Sequence, residues 1–444
     1  MLTRIEIDGF KSFENFALDL RPLTAIVGPN ASGKSNLFDA LRFLSLLARF
    51  DIRTAMQGLR GRPEELFRST PLGVANEMTF AVEVLVGANG VDDFGKKFET
   101  KSRRLRYELK LGLVTTEEGA PKGVFVRNEL CVPARQRENG TPSIANSQLE
   151  PGKNSSRFIR LTKDRDGIEI AQDGPRKRGR PVLLSLSEAS RSALSTITSA
   201  EFPHLYALKK ALSEIRFLEI DPTAARNSND RLEERTLKPD ASNLAAVLAR
   251  LKEETGTADR PLGVLSDIAM DLGSLIPSVQ GLECREDSGS RQYSFALKFK
   301  GPLEFSSRVV SDGTLRLLAL LAVLDDPKRA GTLCFEEPEN GVHEGRIPLL
   351  VEFLRSATQD STDAGASSFQ VLLNTHSPGV MQALRDEEIV VADSVTTVDS
   401  QALASAVHTR MRTGVVAQRN LFNPEINLNG SEIELLLGHP TGAA

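Results

Sequence analysis

One short segment limits the fold more than any other part of the chain: Gly28-Pro29-Asn30-Ala31-Ser32-Gly33-Lys34-Ser35. It fits the pattern G-x4-G-K-[S/T], in which glycines let the backbone turn its N–H groups toward phosphate oxygens and a following helix adds its positive N-terminal end. The pattern carries weight only between a strand and a helix. Leu23 to Val27 is a short apolar run leading into it, and Ser35 to Phe50 repeats apolar residues at helical spacing. The loop therefore predicts an α/β unit that binds a nucleoside triphosphate. Asn30, Ala31, Ser32, Gly33, Lys34, Ser35 and Asn36 line it. Lys34 is placed to pair with the outer phosphates of ATP, and the Ser35 hydroxyl to occupy a Mg2+ coordination position.

Three later segments extend this chemistry. Thr332-Leu-Cys-Phe-Glu-Glu337 is an apolar strand ending in two acids. Glu336 is expected to hold Mg2+ or its water, and Glu337 to polarise the attacking water. Aspartate is the usual first residue of such a pair, and the longer glutamate arm favours contact through water. Phe369 to Leu373 is a second apolar strand, followed by Asn374-Thr-His376-Ser-Pro378, which puts His376 where it can sense a γ-phosphate. A solitary histidine is more often a packed or capping residue; its place one strand after the acids argues otherwise. Ser311-Asp-Gly313-Thr-Leu-Arg316 opens an apolar helix at 314–325, and read alone it is also an ordinary helix cap.

The remaining pattern gives the layout. Strands are expected at 2–8 and 16–20, then at Glu77–Val86, Arg104–Val114, Gly123–Val132, Arg157–Leu161 and Gly167–Ala171, separated by turn residues, which reads as an antiparallel sheet. Pro133 to Asn154 is polar and reads as a mobile loop. Residues 183–215 read as helical, 215–220 as a strand, Ser242–Glu254 and 261–272 as helices, and 291–299 as a strand. From 314 to 392 helix and strand alternate, as in a parallel sheet with helices on its faces. The tail, 420–444, is polar. The domains expected are 1–75 (N-terminal part of an ATPase head), 76–175 (antiparallel β subdomain), 176–300 (helical insertion and connector), 301–425 (C-terminal part of the head) and 426–444 (tail).

Phe10-Lys-Ser-Phe13, the phosphate loop, Ser311–Arg316, Phe335-Glu-Glu-Pro-Glu-Asn-Gly341 and Thr375-His-Ser-Pro378 occur in the order that resembles ABC-type ATPases of the RecF/SMC class. Among these the chain is most similar to the stand-alone AAA/ABC ATPases of anti-phage loci, with the PARIS-type ATPase subunit as one candidate. The matching blocks cover roughly 1–50 and 305–392. The resemblance implies an ABC-ATPase head that hydrolyses ATP with Mg2+. It further implies that Ser311 and Gly313 contact ATP held by a second copy of the chain, that Glu339-Asn-Gly341 couples the two sites, and that His376 is the switch histidine. Gln57, just after the first helix, is the weakest assignment, as a lobe-coupling glutamine.

Composition narrows the partners. The 444 residues carry a formal net charge of −4, so polyanion binding would need a local basic patch. Arg176-Lys-Arg-Gly-Arg180-Pro181 contains a core suited to a narrow minor groove. Arg103, Arg104, Arg106, Arg157, Arg160, Lys163 and Arg165 lie in the same middle region, although Arg60-Gly-Arg-Pro63 shows how easily the tetrapeptide recurs. Three scattered cysteines argue against a disulfide framework or a zinc site and fit a cytoplasmic setting. No apolar stretch approaches membrane-spanning length. The 68 residues after His376 are expected to be too few for a metal-dependent nuclease domain, and no long coiled coil is expected. The favoured expectation is a sensor or scaffold ATPase of an anti-phage system that holds or releases an effector protein. The alternative is a RecF-like ATPase that binds DNA through Arg176–Arg180 in repair or maintenance.

Overall fold

The computed structural model describes residues 1–70, 73–115, 121–134, 157–173, 180–287, 289–359, 369–399, 404–414, 427–428 and 432. They belong to two compact units. One comprises Met1–Ile215, Ser361–Gln370 and Asp386–Ala444; the other comprises Arg216–Asp360 and Val371–Arg385.

In the first unit an antiparallel sheet runs in the order Val182–Ser185, Gly167–Ile170, Ile159–Leu161, Pro121–Pro133, Arg104–Thr115, Glu77–Leu85, Leu2–Asp8, Phe16–Asp19. Arg104–Thr115 shows why: Leu105, Tyr107, Leu109 and Leu111 are buried, and the charged residues between them are not. That is the period of a half-covered strand. The strand Leu23–Val27 differs, being buried at every position. It pairs in parallel with Ile389–Asp399, Val27 opposite Val391, and Ile389–Asp399 pairs antiparallel with Ala404–Gly414. Helix Lys34–Leu47 buries Leu37, Leu41, Phe43, Leu44 and Leu47. The Phe43 ring lies 6.0 Å from that of Phe10 and 5.7 Å from that of Phe80, so helix, N-terminal turn and sheet share one aromatic cluster.

In the second unit the strand Gly331–Glu336 is flanked by the strands that contain 216–218 and 371–375. A second, antiparallel sheet consists of Asn229–Asp230, Gln292–Phe299, Val279–Asp287 and Glu304–Ser306, with helices Leu244–Thr255 and Leu265–Leu275 packed on it. Helix Asp312–Leu324 is buried from Leu317 to Leu324. Helices Ile347–Gln359 and Pro378–Ala383 also belong to this unit.

The helical reading of 183–215 is corrected. Only Pro203–Ser213 is α-helix, preceded by the strand Val182–Ser185 and a 3-10 turn at Leu194–Thr196. The serines here bond locally instead: Ser195 Oγ donates to Ser192 O at 2.7 Å, and Ser192 Oγ accepts the Ser195 N–H at 3.1 Å. Such bonds compete with a helix, and Pro203 sets where one can begin. Among the strands that escaped the pattern are Val279–Asp287 and Ala404–Gly414. The first has a register shift between Val279 and Gly281 that breaks the alternation. The second has few apolar residues. Most of Pro133–Asn154 and nearly all of the tail lie outside the described residues. Cys131, Cys284 and Cys334 are buried free thiols. Among the described residues no helix is long and apolar enough to cross a membrane.

Candidate functional site

The phosphate loop lies in the first unit, between its buried strand and the helix it opens. Its backbone is left-handed at Ala31 (φ 64°) and Gly33 (φ 93°), and Gly28 has φ 146°. A Cβ on Gly28 would run into the carbonyl of Ala392, and one on Gly33 into the side chain of Thr409. Both positions therefore need glycine for space as well as for backbone angle. Lys34 is buried and donates from Nζ to the carbonyls of Gly28 at 2.7 Å and Pro29 at 2.8 Å, so the loop closes on its own lysine. Ser32 is 1% exposed, and its Oγ has no hydrogen-bond partner among the described residues. A buried hydroxyl left unpaired costs free energy. Together with N–H groups at a helix start, it makes a cradle suited to an anionic oxygen, and the residues fit a nucleotide phosphate. Asn30 and Ala31 are exposed at the tip, and Ser35 is half-buried at the helix start. Asn36 donates from Nδ2 to Ser12 Oγ at 2.8 Å.

Glu336, Glu337 and His376 come together in the second unit. Glu337 sits just past its strand with φ 51°, a left-handed angle unusual for this residue type. Its N–H donates to Asn374 O at 2.7 Å, which holds the backbone there. The carboxylate accepts from Asn340 Nδ2 at 2.8 Å and lies 3.0 Å from His376 Nδ1. His376 is 62% exposed and Glu337 42%, so the pair faces solvent. Glu336 Oε1 accepts from Asn374 Nδ2 at 3.3 Å. One residue further, Thr375 Oγ1 donates to Glu339 Oε1 at 2.6 Å and accepts the N–H of Ser377 at 3.0 Å. Burial pushes the Glu339 carboxyl up, against the lowering effect of that Thr375 bond.

Ser311 and Gly313 open their helix in the same unit. Ser311 Oγ accepts the Thr314 N–H at 3.3 Å, an ordinary N-cap, while the residue stays exposed. Asp312 is held by Arg226, whose Nη2 also reaches Val310 O at 2.8 Å. A Cβ on Gly313 would stand 2.8 Å from Gly341 Cα, so the two glycines let the helix start and the Glu339–Gly341 turn touch backbone to backbone. Gln57 is exposed at the end of helix Ile52–Gln57.

Sequence reasoning missed Asn340, Asn374 and the Thr375–Glu339 bond. Asn340 and Asn374 stand inside motifs already singled out, but nothing in their spacing says that they bond to the acids. Three of the seven basic residues of the middle region are paired with carboxylates. Arg104 pairs with Glu83 at 2.5 Å, Arg106 with Glu6 and Glu108 at 2.6 Å each, and Arg160 with Glu169 at 2.7 Å. Of Arg176–Arg180 only Arg180 lies within the described residues.

The fold and these motifs define an ABC-ATPase head. The crystal structure of the SmcHead bound to the C-winged helix domain of ScpA matches with a TM-score of 0.50 at 14% identity, over 93% of this chain and 98% of that one. The chain belongs to the family described as "AAA domain, putative AbiEii toxin, Type IV TA system", whose model matches residues 23–382. Sequence relatives include the chromosome partition proteins Smc of Methanocaldococcus jannaschii, 54% identical over 44 residues, and of Bacillus subtilis, 51% identical over 45. Each match covers 10% of this chain and only 4% of the relative's length.

Proposed function

We propose that this chain hydrolyses ATP as a dimer of opposed heads, and that the cycle holds or releases an effector protein in a bacterial anti-phage system. The observation that carries the first half is the loop Gly28–Ser35, with positive φ at Gly28 and Gly33, buried Lys34 and the unpaired hydroxyl of Ser32. In this reading Lys34 leaves the Gly28 and Pro29 carbonyls for the phosphates, and the Asn30–Ser35 N–H groups surround them. Mg2+ would be held by Ser35 and Glu336, supplying positive charge against the phosphates. Glu337 would accept the proton of the attacking water, with Asn340 and His376 fixing its carboxylate, and His376 would report the γ-phosphate. Exposed Ser311 with Gly313 would meet the nucleotide of the opposite copy.

The second half rests on family context. The family description names a toxin of a Type IV toxin–antitoxin system, and the similar SmcHead is one that holds a winged-helix domain of another protein. Neutralisation of Arg104, Arg106 and Arg160 weighs against the DNA reading. Lys34→Ala tests the base of the proposal. It is expected to lose ATP binding, measured by titration with a fluorescent ATP analogue, while keeping its melting temperature. Unchanged binding would overturn the assignment.

A further inference from the structure

The N-terminal Phe10-Lys-Ser-Phe13 turn and the late strand Ala404–Gly414 both lie outside the span of the family match, and they meet at the phosphate loop. The turn is tight: Phe13 N–H donates to Phe10 O at 2.9 Å, and Lys11 has φ 46°. This geometry presents Ser12 to Thr409, whose N–H donates to Ser12 O at 2.9 Å. The two hydroxyl oxygens lie 2.7 Å apart, and Ser12 Oγ also takes the Asn36 Nδ2 bond at 2.8 Å. Thr409 is 3% exposed. Its side chain occupies the place where any Cβ on Gly33 would be, with Cγ2 2.8 Å and Cβ 2.9 Å from that point.

We infer that Thr409 is a positioning residue of the nucleotide site: through Ser12 and Asn36 it fixes the first turn of helix Lys34–Leu47, and through contact with Gly33 it fixes the left-handed bend of the phosphate loop. This rests on the reading that Gly28–Ser35 holds ATP. Two neighbours on one chain of hydroxyls explain why Gly33 and Asn36 can be held together. The helix start is where N–H groups must point at phosphate, and a loop free to relax there gives up affinity before it gives up chemistry. Ser12, Asn36 and Thr409 act on the loop and helix start that would hold the phosphates, so the effect should fall on binding.

The test compares Thr409→Val, which keeps the shape and loses the hydroxyl, with Thr409→Ser, which keeps the hydroxyl. Ser12→Ala removes the hydroxyl from the other side in case the valine variant folds poorly. KM and kcat for ATP hydrolysis and the dissociation constant of a fluorescent ATP analogue are measured on the full chain. Thr409→Val and Ser12→Ala are expected to weaken ATP binding and raise KM roughly five- to tenfold, the size of one lost hydrogen bond. They should leave kcat within about twofold, and Thr409→Ser should stay near wild type. Wild-type binding in both Thr409→Val and Ser12→Ala, or a fall in kcat with KM unchanged, overturns the inference. If Lys34→Ala binds ATP as well as wild type, the underlying reading of the loop fails instead, and the two failures are told apart.

Discussion

Glu337→Gln separates chemistry from architecture. The backbone N–H bond to Asn374 O at 2.7 Å does not involve the side chain, and the left-handed φ of 51° is as costly for glutamine as for glutamate. The amide oxygen can still accept from Asn340 Nδ2, now at 2.8 Å, and the amide NH2 can donate to an unprotonated His376 Nδ1, now at 3.0 Å. With both neighbours satisfied at a half-exposed position, stability should change by no more than about 0.5 kcal/mol. The proposed proton acceptor is removed, however, and a general base contributes roughly 10²–10⁴ in rate. That corresponds to about 3–5 kcal/mol on the barrier. The assay is single-turnover hydrolysis of labelled ATP beside ATP affinity and a thermal melt. Turnover should fall by that factor while affinity and melting temperature hold. A rate within a few-fold of wild type would refute the role given to Glu337, and lost affinity would refute the claim that its contacts survive the change.

Gly33→Ala places a methyl group against Thr409 at a φ of 93°. The backbone term alone costs about 1–2 kcal/mol, so calorimetry should show a lowered melting temperature, and ATP binding should be lost. For Glu6, burial alone would raise the carboxyl, but hydrogen bonds from Arg106 and Arg4 outweigh it and hold the group at about 2. A carboxylate lowered on folding stabilises above its unfolded value, and that contribution fades as pH falls from 4.5 toward about 2. Glu6→Gln should therefore lose about 2 kcal/mol at neutral pH. Urea melts at several pH values should show the variant's acid limb flattened relative to wild type.

Much of the nucleotide-binding layout was legible because it depends on local rules. The run Leu23–Val27 is buried at every position, as a parallel strand between covered faces must be, and Ser311 and Ser377 each cap a helix. What escaped was set by distant partners. Thr409 matters only because the fold brings it against Gly33, and Ala404–Gly414 is mostly polar, so no apolar period marks it. Glu337 carries its strained angle because Asn374, far along the chain, holds its N–H. Before Pro203 the spacing reads as helical, but Ser192 and Ser195 bond to each other's backbone instead. For Arg104, Arg106 and Arg160 the carboxylate partners sit on other strands or two residues along, and no run of basic residues shows them.

The central claim is that a working site is built from two copies of the chain, and mixing two inactive variants tests it most directly. Lys34→Ala lacks the phosphate-binding lysine but keeps Ser311; Ser311→Arg keeps Lys34 and blocks the face offered to a partner. Each alone should bring ATP turnover close to zero, with Ser311→Arg still binding ATP. Mixed, they can form a pair in which one site has an intact lysine from one copy and an intact serine from the other, so turnover should reappear and rise with protein concentration. A mixture that stays inactive while both variants are folded, or a Ser311→Arg protein that hydrolyses ATP at the wild-type rate, would contradict the account.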